Sequence, residues 1–172
     1  MNRLPALLLL SYVASCLCTG DSFGTAPLGL PDLKLLTVQN ETIRTTDLRG
    51  DIVFLDLWKL ACVPCDEMRS SAARLNPQFG ARGVRFLAIN EDDTPAAWKK
   101  FLWLNPSPQI EVQDQGHQVR NALVATELPA VFLIDRLGQV RWRHVGWTSD
   151  SEREAAQQLE GLLREPPARP KS

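Results

Sequence analysis

Hydrophobic residues mark strands and helices that alternate along most of the chain. Ile52 to Trp58 and Val84 to Asn90 are nearly continuous apolar runs, which is typical of strands covered on both faces. Between them, apolar residues recur at alternating steps of three and four, the spacing of one face of a helix. They are Cys65, Met68, Ala72, Leu75 and Phe79. This pattern predicts a strand–helix–strand unit with parallel strands.

Shorter elements are predicted on either side of this unit. Thr94 and Pro95 open a helix, because threonine caps helix N-termini and proline suits the first helical position. Ser151 and Glu154 have the spacing of a capping box for a final helix. The other predicted elements are strands over Leu33 to Val38, Thr42 to Arg44 and Ile110 to Val112, a helix through Val119 to Leu123, and a hairpin of Val131 to Ile134 with Gln139 to Val145.

The order of these elements predicts the α/β class. Alternating strands and helices imply a parallel sheet, and the terminal hairpin adds antiparallel strands. We therefore expect a mixed central sheet with helices on both faces, preceded by an N-terminal strand pair and interrupted by a small central insert.

Composition and charge favour one domain between short tails. The chain has 172 residues, of which 44% are hydrophobic and 23% charged, enough apolar material for a core. Residues 16–31 are predicted to be a tether, residues 32–164 the domain, and residues 165–172 a flexible, proline-rich tail. A formal net charge of -1 argues against a nucleic-acid partner, and we expect a monomer.

The N-terminus has the pattern of an export signal. After Arg3, Leu4 to Ala14 form an apolar stretch of 11 residues, too short to span a bilayer but typical of a signal peptide, which we predict over residues 1–15. Val13 to Cys16 resembles the bacterial lipobox, which implies cleavage before Cys16 and lipid attachment to its thiol. Cleavage nearby, for example after Gly20, is the alternative. Both interpretations place the domain outside the cytosol, where disulfides persist.

The candidate chemistry lies where the first core strand gives way to a helix. Cys62, Val63, Pro64 and Cys65 form a C-x-x-C motif, which beside a strand–helix–strand unit is typical of redox proteins. A cysteine in the first turn of a helix has a lowered pKa, because free N–H groups and the helix dipole stabilise its thiolate. Cys62 is therefore the predicted nucleophile. Cys65, one turn further and more buried, can close a disulfide with it or resolve a mixed disulfide.

Two other interpretations of the motif compete. A structural zinc site takes four ligands, and the sequence has no second C-x-x-C, while His117 and His144 do not have ligand spacing. A purely structural disulfide gains more from closing a longer loop. Redox chemistry without a metal or organic cofactor is therefore the favoured prediction.

Two further residues stand out near this motif. Asp56 interrupts the apolar run of the first core strand, where a carboxylate is costly unless it is protonated or paired. Such a group could accept and return the proton of the Cys65 thiol. Pro129 follows Leu128 immediately before another core strand, and the sequence does not determine the isomer of their peptide bond.

These residues resemble the TlpA/ResA-like group of the thioredoxin superfamily. The resemblance covers about residues 28–163 and rests on three motifs: Asp47 to Trp58, Ala61 to Cys65, and Leu128 to Asp135 followed by Gly138. It implies a thioredoxin-like fold and a cis Leu128–Pro129 bond beside the active-site disulfide. By the same resemblance, the backbone of Leu128 would pair with an incoming peptide, with Pro129, Val63, Pro64 and Trp58 around the client. Asp56 would occupy the place of the buried acid of thioredoxin proper, where this group more often has asparagine.

The chain also departs from the group's pattern on either side of the C-x-x-C motif. Ala61 replaces the usual aromatic residue before the first cysteine. The group often carries glutamate three residues after the second cysteine, whereas here Glu67 is two residues and Arg69 four residues after it. Asp56 is our hypothesis for the acid that substitutes.

The predicted function is a thiol-disulfide oxidoreductase acting on protein dithiols and disulfides outside the cytosol. Cys62 attacks, Cys65 resolves and Asp56 carries the proton. The resemblance implies that the protein reduces its clients with electrons from a membrane reductase. It also implies a location in the bacterial periplasm with a lipid anchor. Because the net charge is near neutral, we expect attachment to the membrane through lipid and not through a basic surface. The alternatives are a metallochaperone that holds a soft metal such as Cu(I) on the dithiol, and a thiol peroxidase.

Overall fold

A computed structural model of the chain describes residues 28–166. The predicted signal peptide, most of the tether and the lipidation candidate Cys16 lie outside the described residues, as does most of the predicted tail. Within the described part of the chain, no helix is both long and apolar enough to cross a membrane.

The structure is a mixed seven-stranded sheet with four α-helices. The strands stand in the order β2-β1-β5-β4-β3-β6-β7. β3, β4 and β5 are parallel, and β1, β2, β6 and β7 join by antiparallel pairings. The strands are β1 (Lys34–Thr37), β2 (Thr42–Arg44), β3 (Ile52–Trp58), β4 (Val84–Asn90), β5 (Ile110–Gln113), β6 (Ala130–Ile134) and β7 (Val140–Val145). The helices are α1 (Val63–Gly80), α2 (Pro95–Leu104), α3 (Gln118–Ala122) and α4 (Ser149–Arg164). The predicted α/β class with a mixed sheet is confirmed.

The sheet separates two hydrophobic cores, because successive side chains of a strand point to opposite faces. The larger core contains Ile52, Phe54 and Trp58 of β3 together with buried residues of α1, α2 and α4. The second core contains the alternate β3 residues and is covered by α3 and the loop segments on that side. Helices therefore cover both faces, and Asp56, between Phe54 and Trp58, belongs to the face beneath α1.

The start of the last helix corrects one prediction. Thr148, not Ser151, is the N-cap of α4, and Ser151 is the third helical residue. The Thr148 hydroxyl accepts a hydrogen bond from the Ser151 N–H at 3.4 Å, and the Ser151 hydroxyl accepts one from the Thr148 N–H at 3.1 Å. The capping box predicted with Glu154 was wrong because the reciprocal pair forms one turn earlier, with serine in the place of the usual acidic or amide residue.

Candidate redox site

Cys62 and Cys65 are joined in a disulfide whose Cα atoms are 5.2 Å apart. Cys62 is the N-cap of α1, one position before the first turn in which the sequence placed it, and the Cys65 N–H donates to the Cys62 carbonyl at 2.9 Å. Cys62 is 9% exposed to solvent, whereas Cys65 is completely buried. At the helix start, Cys62 therefore keeps a small exposed fraction and Cys65 has none.

The connection between β3 and α1 is held by the loop that follows β4. The Leu60 N–H donates to a carboxylate oxygen of Asp93 at 2.8 Å, and the same oxygen accepts from the Asn90 amide at 2.6 Å. Ala61 has a left-handed backbone with φ of 53°, which is uncommon for a residue other than glycine. Sequence reasoning missed Asp93, although a polar run directly after a core strand, at the same sheet edge as the C-x-x-C motif, was a signal for it.

The predicted client-binding residues occupy different environments. The Leu128–Pro129 bond is cis. Ala130 pairs with Leu57, so the register brings Pro129 to the end of β3, near the start of α1. Leu128 is partly buried against both cores.

The residues between the cysteines face outward, and the aromatic residue below them does not. Val63 is 82% exposed and Pro64 is also exposed. Trp58 is only 1% exposed and shares the core of the two cysteines. Val63 and Pro64 thus stand outward between the two cysteines, and Trp58 is buried in the core that contains them.

Asp56 is a fully buried carboxyl group on the same face of β3 as Trp58. One of its oxygens accepts a hydrogen bond of 2.6 Å from the Gln109 amide, and the other has no hydrogen-bond partner among the described residues. Burial raises the pKa of Asp56 to about 7. The Arg69 charge and the Gln109 hydrogen bond lower this pKa, and the Glu111 charge raises it further. A carboxyl with this pKa can accept and release a proton near neutral pH.

A buried ion pair adjoins this carboxyl. Arg69 of α1 contacts Glu111 of β5 at 2.9 Å, with side chains 11% and 5% exposed. The guanidinium also lies over the Trp58 ring, 3.8 Å from its centroid. Burial raises the pKa of Glu111, whereas Arg69 lowers it. Sequence reasoning missed Glu111 and treated Arg69 only as a departure from the family pattern; an acidic residue in a short apolar strand was the available signal.

The two histidines lie in separate settings. His117 caps α3, and its ring Nδ1 lies 2.7 Å from buried Glu91. His144 is on β7, with its ring Nε2 2.9 Å from the Ser151 hydroxyl. Within residues 28–166, no group of three or more His, Cys, Asp or Glu residues is arranged to hold a metal ion.

The family model described as AhpC/TSA matches residues 29–143, well over half of the chain. The chain belongs to the AhpC/TSA family. This AhpC/TSA protein is 28% identical over 134 residues to the thiol-disulfide oxidoreductase ResA of Bacillus cereus, covering 78% of this chain and 74% of the relative. It is 34% identical over 111 residues to ResA of Geobacillus thermodenitrificans, covering 64% of each.

Solved structures agree with these relatives. A Chlorobium tepidum chain assigned as a thiol:disulfide interchange protein, DsbE, superposes with a TM-score of 0.75 at 27% identity, over 80% of this AhpC/TSA protein and 96% of that chain. The exposed lipoprotein thioredoxin of Streptococcus pneumoniae superposes with a TM-score of 0.69 over 77% of this chain and all of that one; at 19% identity, this likeness shows the fold alone. The protein is thus a TlpA/ResA-like thiol-disulfide oxidoreductase with a thioredoxin-like fold, as its sequence predicts.

Proposed function

We propose that this oxidoreductase reduces disulfides of client proteins outside the cytosol, with Cys62 as nucleophile, Cys65 as resolving cysteine and Asp56 as proton acceptor. The observation that carries the assignment is the unequal exposure of the two cysteine residues. Cys62 stands at the N-terminus of an 18-residue helix with part of its surface open, and Cys65 is enclosed. A client sulfur can therefore approach Cys62, where the helix dipole favours a thiolate.

The reaction is two successive thiol–disulfide exchanges. The Cys62 thiolate attacks one client sulfur, a mixed disulfide forms, and the other client sulfur leaves as a thiolate that takes a proton from solvent. Cys65 then passes its proton to the Asp56 carboxylate and attacks the Cys62 sulfur, which breaks the mixed disulfide. Asp56 returns the proton to the departing client thiolate. The client gains two electrons and becomes a dithiol, and the protein is left with the Cys62–Cys65 disulfide.

The surface around Cys62 suits an extended peptide. Val63 and Pro64 stand outward beside the sulfur, and Leu128 lies at the same end of the sheet through the pairing of β6 with β3. In this proposal the Leu128 backbone pairs with the client, and the apolar side chains contact residues flanking the client cysteine. Trp58 supports this surface from below.

Export and anchoring form a separate part of the proposal. The apolar stretch Leu4 to Ala14 and the lipobox-like Val13 to Cys16 support a periplasmic protein with lipid on Cys16, recharged by a membrane redox partner. Expression of the full chain in a bacterium fed radiolabelled palmitate tests this directly. We expect labelled protein, with label lost in Cys16→Ser and kept in Cys18→Ser; equal labelling of both variants, or none in the unmodified chain, contradicts the anchor.

The exchange mechanism is tested by trapping. Cys65→Ala, incubated with a disulfide-containing protein such as insulin, is expected to accumulate a covalent complex that disappears on addition of dithiothreitol. The matched variant Cys62→Ala should accumulate much less, since its remaining sulfur is buried. Turnover of insulin by the unmodified protein, measured beside a Cu(I) titration and peroxide consumption, separates the proposal from the metallochaperone and peroxidase alternatives. No trapped complex under any redox poise would overturn the mechanism.

A further inference from the structure

Three neighbouring parallel strands bring two carboxyl groups into one row. In the register of β3, β4 and β5, Asp56 pairs with Ala88 and Ala88 pairs with Glu111. All three residues therefore point to the face beneath α1. Alanine in the middle position has a short side chain, so no large side chain of β4 stands between the two carboxyl groups.

Arg69 reaches this row from α1. Its guanidinium contacts Glu111 at 2.9 Å and stacks over Trp58 at 3.8 Å, which fixes the positive charge from two directions. One of its terminal nitrogens and one Glu111 oxygen have no hydrogen-bond partner among the described residues. An ion pair with unmet hydrogen-bonding groups in a buried place is weak evidence for a purely stabilising role, because desolvation offsets much of its attraction.

We propose that the Arg69–Glu111 ion pair is a positioning element of the redox site, which sets the charge carried by Asp56 and thereby the rate at which the Cys65 thiol is deprotonated. The inference rests on the proposed function, because it takes Asp56 to be the proton acceptor. Neither Arg69 nor Glu111 needs to contact the client or the reacting sulfur atoms; they act through Asp56.

The groups that face Asp56 define the expected response. Arg69 lowers the pKa of Asp56 and Glu111 raises it, so the two partners of one ion pair act in opposite directions. Gln109 is uncharged, and the residues paired with Asp56 on the neighbouring strands are Ala88 and Val131. In the reduced protein the thiols at the start of α1 are added to these groups; in the oxidised protein they do not titrate.

Opposite shifts in two single variants are the test. In the oxidised full chain, the 13C chemical shift of the Asp56 carboxyl is followed against pH, with Asp56→Asn identifying the signal. Glu111→Gln should lower the midpoint of the Asp56 titration by about one pH unit or more, the size of shift that a nearby charge produces. Arg69→Gln should raise the midpoint. Arg69→Lys should remain close to the unmodified protein because it keeps the charge.

Arg82 and Glu160 provide a matched control. They form an ion pair between α1 and α4 that lies at the surface, at 2.5 Å. Arg82→Gln and Glu160→Gln should leave the midpoint unchanged. If Arg69→Gln does not fold, Glu111→Gln still decides the question, since its midpoint must fall.

Kinetics separate failure of this inference from failure of the proposed function. Single-turnover reduction of a peptide disulfide by the reduced protein is measured against pH for the same variants. One limb of the plot of rate against pH should be absent in Asp56→Asn. In the Arg69 and Glu111 variants, this limb should shift along the pH axis in the same direction as the midpoint of the Asp56 titration. Midpoints that do not move, or that move in the same direction in both variants, overturn the inference while leaving Asp56 as acceptor. An unchanged profile in Asp56→Asn overturns the role of Asp56 itself.

Discussion

The Gln109 amide donates a hydrogen bond of 2.6 Å to Asp56, and both side chains are buried. Gln109 immediately precedes β5, 53 residues from Asp56 in the sequence, so the start of a strand two positions away in the sheet supplies a donor to β3. Because the bond favours the charged carboxylate, it lowers the pKa of Asp56 against the larger effect of burial.

Replacing Gln109 by leucine should raise the Asp56 midpoint above about 7, since the carboxylate loses its donor while its burial remains. The carboxyl titration of the oxidised protein measures this shift. Gln118→Leu, at an exposed position, is the control and should leave the midpoint in place. A downward shift in Gln109→Leu would contradict the role of the hydrogen bond.

The stability of the oxidised protein should depend on pH through Asp56. Its pKa is about 7 in the folded chain against the ordinary 3.8, so the folded state binds the proton more tightly than the unfolded state. Stability from this group is therefore present below about pH 4 and declines as pH rises to about 7. Relative to the unmodified protein, Asp56→Asn should become progressively more stable as pH rises from about 4 to about 7. The full difference in unfolding free energy, on the order of a few kcal/mol, should be present at pH 8.

Urea unfolding of both proteins at pH 4 and pH 8 measures this difference. Buried Glu91 and Glu111 also have raised pKa values, so each protein alone changes with pH, and the difference between the two isolates Asp56. A difference that is the same at both pH values would show that Asp56 does not titrate in this range.

Ser71 links α1 to the segment that precedes α4. Its hydroxyl accepts from the buried Trp147 indole N–H at 2.9 Å and donates to Glu152 at 2.8 Å. Ser71→Ala leaves a buried donor unpaired and should cost about 1–3 kcal/mol of unfolding free energy. Ser70→Ala, on the exposed side of the same helix, should change it by less than about 0.5 kcal/mol. Equal losses in the two variants would contradict this structural role.

Asp93 should control the mobility of the loop before Cys62. Asp93→Ala removes the acceptor of the Leu60 N–H, and hydrogen exchange of that amide should accelerate. Asp93→Asn keeps an oxygen at the same place and should restore most of the protection. Unchanged exchange in Asp93→Ala would show that the loop is held by other contacts.

The local pattern of apolar and polar residues was enough to predict the strands and helices. It was not enough to predict the contacts between elements that are distant in the sequence. The apolar runs of β3 and β4 and the stepwise spacing of α1 are properties of adjacent residues, and they predicted those elements closely. The cap of α4 was misplaced because Thr148 and Ser151 form their reciprocal bonds without the acidic residue that usually marks the motif.

The electrostatic surroundings of the disulfide depend on register. Asp56 could be singled out because a carboxylate within an apolar run is exceptional. Its relationship to Arg69 and Glu111 could not, because it arises from the pairing of three strands and the position of a helix over them. The isomer of the Leu128–Pro129 bond also could not be read from the residues, since the two isomers differ little in local free energy.

Cys62, which keeps some exposed surface, should react before the fully buried Cys65, and the rates of thiol modification test this most directly. Cys65→Ala and Cys62→Ala are each reacted with a stoichiometric amount of glutathione disulfide, and the modified residue is mapped by mass spectrometry over time. Rapid glutathionylation of Cys62 in the first variant, with slow modification of Cys65 in the second, is the predicted result. Faster modification of Cys65 than of Cys62 would contradict the assignment of Cys62 as nucleophile.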